Sequence, residues 1–88
     1  MAAGDYSGNG TDSIPVSGPG DISTVEITCT GATATDVVVL NIQSAVPSDV
    51  NGTFSFYAVP GTNIVTVTAS RAQLPTAVTV DVMTFKSA

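Results

Sequence analysis

From residue 22 onward the chain falls into short runs in which every second position is apolar, separated by clusters of Gly, Pro, Asn and Asp. A period of two is the signature of a strand with one face on a core. In STVEITCT, residues 23–30, Val25, Ile27 and Cys29 share one face, and Thr24, Glu26, Thr28 and Thr30 the other. VVVLNIQ, residues 37–43, sets Val38, Leu40 and Ile42 against Val37, Val39, Asn41 and Gln43. TFSFYAV, residues 53–59, turns Phe54, Phe56 and Ala58 inward, with Tyr57 and Val59 opposite. NIVTVTAS, residues 63–70, sets Val65, Val67 and Ala69 against Ile64, Thr66 and Thr68. TAVTVDVMTF, residues 76–85, sets Val78, Val80 and Val82 against Thr79, Asp81, Met83 and Phe85. PSDVNG at 47–52 reads as a turn, with Asn51-Gly52 its strongest signal, and Pro60-Gly61-Thr62 as a tight turn with Gly61 supplying positive φ. The one stretch that approaches a helical pattern, SRAQLPTA at 70–77, is broken by Pro75.

These spacings predict an all-β domain over residues 22–88. The expected fold is a small antiparallel β-sandwich, or a partly closed barrel, of about six short strands. The expected core is Val25, Ile27, Val38, Leu40, Ile42, Phe54, Phe56, Val65, Val67, Val78, Val80 and Val82. Residues 1–21 differ: five glycines and two prolines interrupt any regular element. They predict a flexible or extended N-terminal arm, in which Ile14, Pro15 and Val16 form the one segment able to dock on a partner.

The second faces are not uniformly polar. Val37, Val39, Tyr57, Val59, Ile64, Met83 and Phe85 all lie opposite the expected core. Each such side chain left in water forgoes roughly 1.5–3 kcal/mol, a large fraction of what stabilises so small a domain. Either a neighbouring subunit covers Met83 and Phe85, or the twist of the sheet swings that strand end inward. The first alternative makes the protein a homo-oligomer with Val37, Val39, Ile64, Met83 and Phe85 in its interface. A chain of 88 residues with one cysteine has no intrachain disulfide to stabilise it, so oligomerisation is the compensation left open.

Charge narrows the function classes. Two basic residues stand against seven acidic ones, a net charge of −5, which argues against a nucleic-acid partner and against anionic membrane surfaces. No apolar run is long enough for a membrane span. MAAGDYSGNG has neither a basic start nor an apolar core, so it does not read as a secretory signal. A lone cysteine in an alternating strand fits synthesis in a reducing cytoplasm.

Candidate chemistry is sparse, and no cofactor is implied. DYSGNGTD at 5–12 places Asp5, Ser7, Asn9 and Gly10 at the first marker positions of a calcium loop, but Val16 stands where its bidentate glutamate belongs. Asn9-Gly10-Thr11 and Asn51-Gly52-Thr53 match the N-glycosylation pattern, yet Asn51-Gly52 is already explained as turn chemistry. Glu26 and Asp81 could pair as a glycosidase does, but no histidine or tryptophan accompanies them; solvated strand faces explain them. Cys29, with no histidine in the chain, reads as a small core hydrophobe. Arg71 and Lys86 are too few for a phosphate site. The sequence reads as a protein that is not an enzyme.

Two stretches carry a resemblance: CTGATATDVVVLN, and VPGTNIVTVTASRAQLPTAVTVDVMTF. Residues 22–86 resemble small β-sandwich domains in structural proteins of tailed-bacteriophage virions, such as capsid decoration proteins and head fibres. In that family a strand ends in a Thr-Gly-Ala-like loop before a valine run. Later an NTVTV-like strand, here NIVTV at 63–67, precedes a last valine-rich strand. SRAQLPTA departs from the Gly- and Asp-Pro-containing loop of the family. The resemblance implies a homo-oligomer, commonly a homotrimer, on the capsid exterior, with the major capsid protein as partner. The arm, through Ile14, Pro15 and Val16, would then anchor the subunit to the capsid or bridge neighbours. The alternative function is a receptor- or glycan-binding module of a fibre or spike, for which Tyr6 and Tyr57 are the exposed aromatic candidates.

Overall fold

The alternating runs form two three-stranded antiparallel sheets packed face to face, as seen in a computed structural model. It describes residues 4–44, 46, 48, 49 and 52–87. The strands are β1 (Tyr6–Ile14), β2 (Thr24–Thr28), β3 (Val37–Ile42), β4 (Ser48–Asp49), β5 (Gly52–Thr53), β6 (Phe56–Gly61), β7 (Ile64–Ala69) and β8 (Val78–Phe85). One sheet has the order β1-β8-β3 and the other β2-β7-β6, while β4 and β5 pair as a separate short ladder. No helix occurs among the described residues, and the sheets do not close into a barrel. The fold is thus the small β-sandwich that the period of two predicts.

The two central strands supply the middle of the core. Val78, Val80 and Val82 of β8 and Val65 and Val67 of β7 are fully buried, joined by Ile27, Cys29, Phe54, Ala69 and Leu74. Val25, Val38, Leu40, Ile42, Phe56 and Ala58, on the outer strands, are half-buried against them. β-branched side chains suit these positions because they pack on a pleated surface with little loss of rotamer freedom. Ala32 and Leu74 lie in loops and join the core without any strand pattern to announce them.

The N-terminal segment is where structure and sequence pattern part. Residues 6–14 are a full strand, antiparallel to β8 from Tyr6↔Phe85 to Ile14↔Val78. No boundary separates them from the sandwich at residue 22. Gly8 and Gly10 sit on the inward face, where a Cβ would lie 2.5 Å from the Thr30 carbonyl oxygen and 2.3 Å from that of Thr28. The glycines that read as strand breakers instead let β1 lie against the backbone of β2. Ile14, expected to dock on a partner, is completely buried in its own core. Pro15 is exposed and Val16 is 59% exposed, so these two remain available at the surface. The segment after them is fastened: Ser17 and Leu74 exchange two hydrogen bonds, and the Gln73 N–H donates to the Asp21 carbonyl.

Turn chemistry is also displaced. β6 runs through Pro60 and Gly61, and Gly61 pairs with Ile64. The left-handed residue is Asn63, with φ of 59°, a conformation that asparagine tolerates better than most side chains. The turn expected at 47–52 overlaps the β4–β5 ladder, in which Asp49 pairs with Gly52; Pro47, Val50 and Asn51, with the Asn51-Gly52 signal, lie outside the described residues.

Candidate functional site

The outward face of the β1-β8-β3 sheet divides into two halves. Toward the Phe85 end, register places Tyr6 opposite Phe85 and Phe85 opposite Val37, then Met83 opposite Val39. These five side chains form one apolar strip. Val37 is 53% exposed, Val39 49%, Met83 41% and Tyr6 49%. Phe85 is half-buried, because the Tyr6 ring meets it edge to face at a centroid distance of 6.1 Å. A bulge between Tyr6 and Gly8 makes this contact possible. It shifts the parity of β1, so Tyr6 faces outward while Gly8 and Gly10 face inward. Tyr6, read from the sequence as an exposed aromatic, is not joined to the strip by alternation alone; the signal for that would be a bulge, which has no reliable sequence mark.

Toward the other end, the same face is polar. Asp81 accepts hydrogen bonds from Thr11 Oγ1 (2.5 Å), Asn41 Nδ2 (3.4 Å) and Gln43 Nε2. Those donors, that of Thr11 foremost, hold its carboxyl below the ordinary range. Ser13 and Thr79 hydroxyls bond across the next pair. The strip thus ends at a bonded polar row rather than fading into loops.

Of the five residues expected in an interface, four are brought together: Val37, Val39, Met83 and Phe85. Ile64 is not among them. It lies on β7, on the outward face of the other sheet, near Gly61 and Thr28. Alternation shows which residues face away from the core, but not on which side of a two-layer sandwich they do so. Glu26 is separated from Asp81 for the same reason: β2 and β8 belong to different sheets, and both side chains point outward. They do not form a catalytic pair. Of the calcium-like stretch, Asp5 precedes β1 and the rest lies along it, where Ser7 turns into the interior and Asn9 faces out beside Met83.

Beneath the apolar end lies a buried polar cluster. The Ser7 hydroxyl donates to Asp36 Oδ2 (2.6 Å) and shares a second bond with the Thr84 hydroxyl (2.7 Å). Thr33 donates its hydroxyl to Asp36 Oδ1 (2.6 Å) and its N–H to Oδ2 (3.2 Å), and Lys86 Nζ sits 3.4 Å from Oδ1. Cys29 Sγ, fully buried, lies 3.7 Å from Thr84 Oγ1. Ser7 foremost, then Thr33, lower the Asp36 carboxyl to about 2. The cluster ties β1, β8 and the 31–36 loop together at one end of the sandwich and holds Phe85, the neighbour of Thr84 and Lys86, in place.

Because the folded pKa of Asp36 is depressed, its stabilisation is present above the unfolded value near 3.8 and is lost as pH falls through about 2. Thermal melts in that window should fall with pH. Asp36→Asn should melt lower at neutral pH and show a flatter slope between pH 4 and 2. An unchanged slope would show that this carboxylate does not govern acid unfolding.

No cavity or cleft opens among the described residues. What the surface offers is the apolar strip, the polar row beside it, and the outer edges of the sheets. No protein-family model, curated protein or solved structure matches the chain.

Proposed function

We propose that the protein is a virion structural protein: a homo-oligomeric decoration or cement subunit on the outside of a phage capsid, without catalytic activity. The observation that carries this reading is the strip of Tyr6, Val37, Val39, Met83 and Phe85. Contiguous exposed apolar surface on a small domain marks an interaction site. Here it lies on an open sheet face, and no cleft opens among the described residues, which suits contact with another broad protein surface rather than capture of a small molecule. The resemblance over residues 22–86 supplies the kind of particle, and the major capsid protein is the partner of the strip.

Co-sedimentation with shells assembled from the cognate major capsid protein tests this. Wild-type protein should pellet with the shells, and Met83→Asp, which sets a carboxylate in the middle of the strip, should weaken binding by at least about 30-fold. That residue is on the surface, so the variant should melt close to wild type. Wild-type protein that stays in the supernatant would overturn the reading.

A further inference from the structure

A two-layer sandwich of open sheets has four edge strands, and proteins guard such edges against other chains. Three of the four carry a recognisable device. β1 has the bulge at Tyr6/Gly8, and near its other end Asp12 accepts the Ser13 N–H through its own carboxylate (2.8 Å). The carbonyls of Thr28 and Thr30, at the edge of β2, lie against the inward glycines of β1. In β6 the device is Pro60. The Ser70 N–H donates to the Ser55 carbonyl, continuing the β6–β7 register. Hydrogen-bonded pairs alternate along a ladder, so Tyr57, Val59 and Gly61 bond to β7 while Phe56, Ala58 and Pro60 face the free edge. Proline offers no N–H there.

β3 has no such device. Its sequence, VVVLNI, contains no proline, lysine or glycine, and its register with β8 is unbroken. The Gln43 N–H donates to the Thr79 carbonyl (2.8 Å), continuing that register. Val37, Val39 and Asn41 therefore bond to β8, and Val38, Leu40 and Ile42 turn their N–H and C=O groups to the open edge. Among the described residues no group bonds to them there.

We infer that β3 pairs antiparallel with β3 of a second copy about a two-fold axis at Leu40, joining two sheets into one of six strands. The inference names how copies join in the homo-oligomer proposed above and rests on that reading. The occupant follows from the edges: within the two three-stranded sheets, a second copy offers β3 no other unguarded strand of comparable length. It follows also from self-complementarity. With Leu40 opposite Leu40, Val38 falls opposite Ile42 on both sides of the axis, and all three free residues of each strand exchange bonds. Val39 falls opposite Asn41 and Val37 opposite Gln43 on the outward face, so no like charges meet. Ordinary strand spacing and rise put the two Asp81 carboxylates about 16 Å apart, beyond the Debye length at physiological salt. The two apolar strips then lie on one face of the joined sheet, a two-fold surface about twice the size of either.

The test uses the full chain. Sedimentation at micromolar concentration should give twice the 8.8 kDa chain mass. Val38→Pro removes an edge-facing N–H and leaves the β8 bonds intact; two such losses per dimer should weaken association about 30-fold. Val39→Cys with Asn41→Cys places thiols at non-hydrogen-bonded partners, whose spacing suits a disulfide. An added oxidant should convert this variant to a covalent dimer, while Tyr57→Cys, on the other sheet, should stay uncross-linked. Cys29 is buried and does not interfere. A monomeric wild type, a trimer that survives Val38→Pro, or no cross-linking of the double variant would each overturn the pairing. If Val38→Pro fails to fold, the cross-linking result decides. Failure here leaves shell binding by the strip standing, and failure of shell binding leaves the pairing standing.

Discussion

A chain shortened by residues 1–14 is expected to lose its cooperative fold. The segment has the composition of a dispensable tail, yet it forms β1, which pairs with the central strand β8 from Tyr6 to Ile14. Removing it deletes Ile14, a completely buried side chain whose loss alone costs about 2–5 kcal/mol. It also uncovers one flank of Val78, Val80 and Val82, strips Ser7 from the buried Asp36, and exposes the groups of β8 that bonded to β1. At ~0.05–0.15 kcal/mol per residue, a domain of this length has about 4–13 kcal/mol in total. The losses together reach that range. Far-UV circular dichroism of the truncated chain should show an unordered spectrum with no melting transition. A truncated chain that melted like wild type would show that β1 is not part of the stable body.

How much of this was legible can be judged from particular residues. Val65, Val67, Val78, Val80 and Val82 announce themselves because each strand keeps a strict period of two and each has a buried face. Phe54 is read as inward correctly although it sits outside a regular strand, where it packs under the Arg71 guanidinium, 4.1 Å from the ring centroid. β1 is not legible, because its inward positions are glycines. Hydrophobic patterning sees side chains, and here what matters is the absence of one. The strip is legible in part: Val37, Val39, Met83 and Phe85 are found because apolar residues on the second face of a strand stand out. Tyr6 is hidden by the bulge, and Ile64 is wrongly grouped with them because a single strand's alternation says nothing about which sheet it joins. Asp36 is hidden as well. It precedes β3 in a loop, and its burial depends on Ser7, Thr33 and Lys86, of which two come from opposite ends of the chain.

The misses at β1 and Asp36 share a cause: two distant segments approach closely there, and the approach of β1 to β2 predicts the second large effect. Gly10→Ala is expected to destabilise the protein by about 3 kcal/mol, at the upper end for inserting a single methyl group into a packed interior. The added Cβ would lie 2.3 Å from the Thr28 carbonyl oxygen and 2.7 Å from Ile27 Cγ2. The first neighbour is backbone of β2, held by its ladder with β7 and unable to step aside as a flexible side chain would. The two sheets must separate at that corner or β1 must shift off β8, and either movement loosens Ile14 and Ile27 together. For a domain of this size 1 kcal/mol corresponds to roughly 4–8 °C, so the midpoint should drop by about 12–24 °C. Gly8→Ala meets the Thr30 carbonyl oxygen at 2.5 Å and should behave alike. Gly18→Ala is the control: its nearest neighbour is Asp21 Oδ2 at 3.8 Å, and its melt should match wild type. If Gly10→Ala melted with the Gly18→Ala control, β1 would not lie against β2 as described, and the sealed edge from which the exposed β3 is distinguished would be open as well.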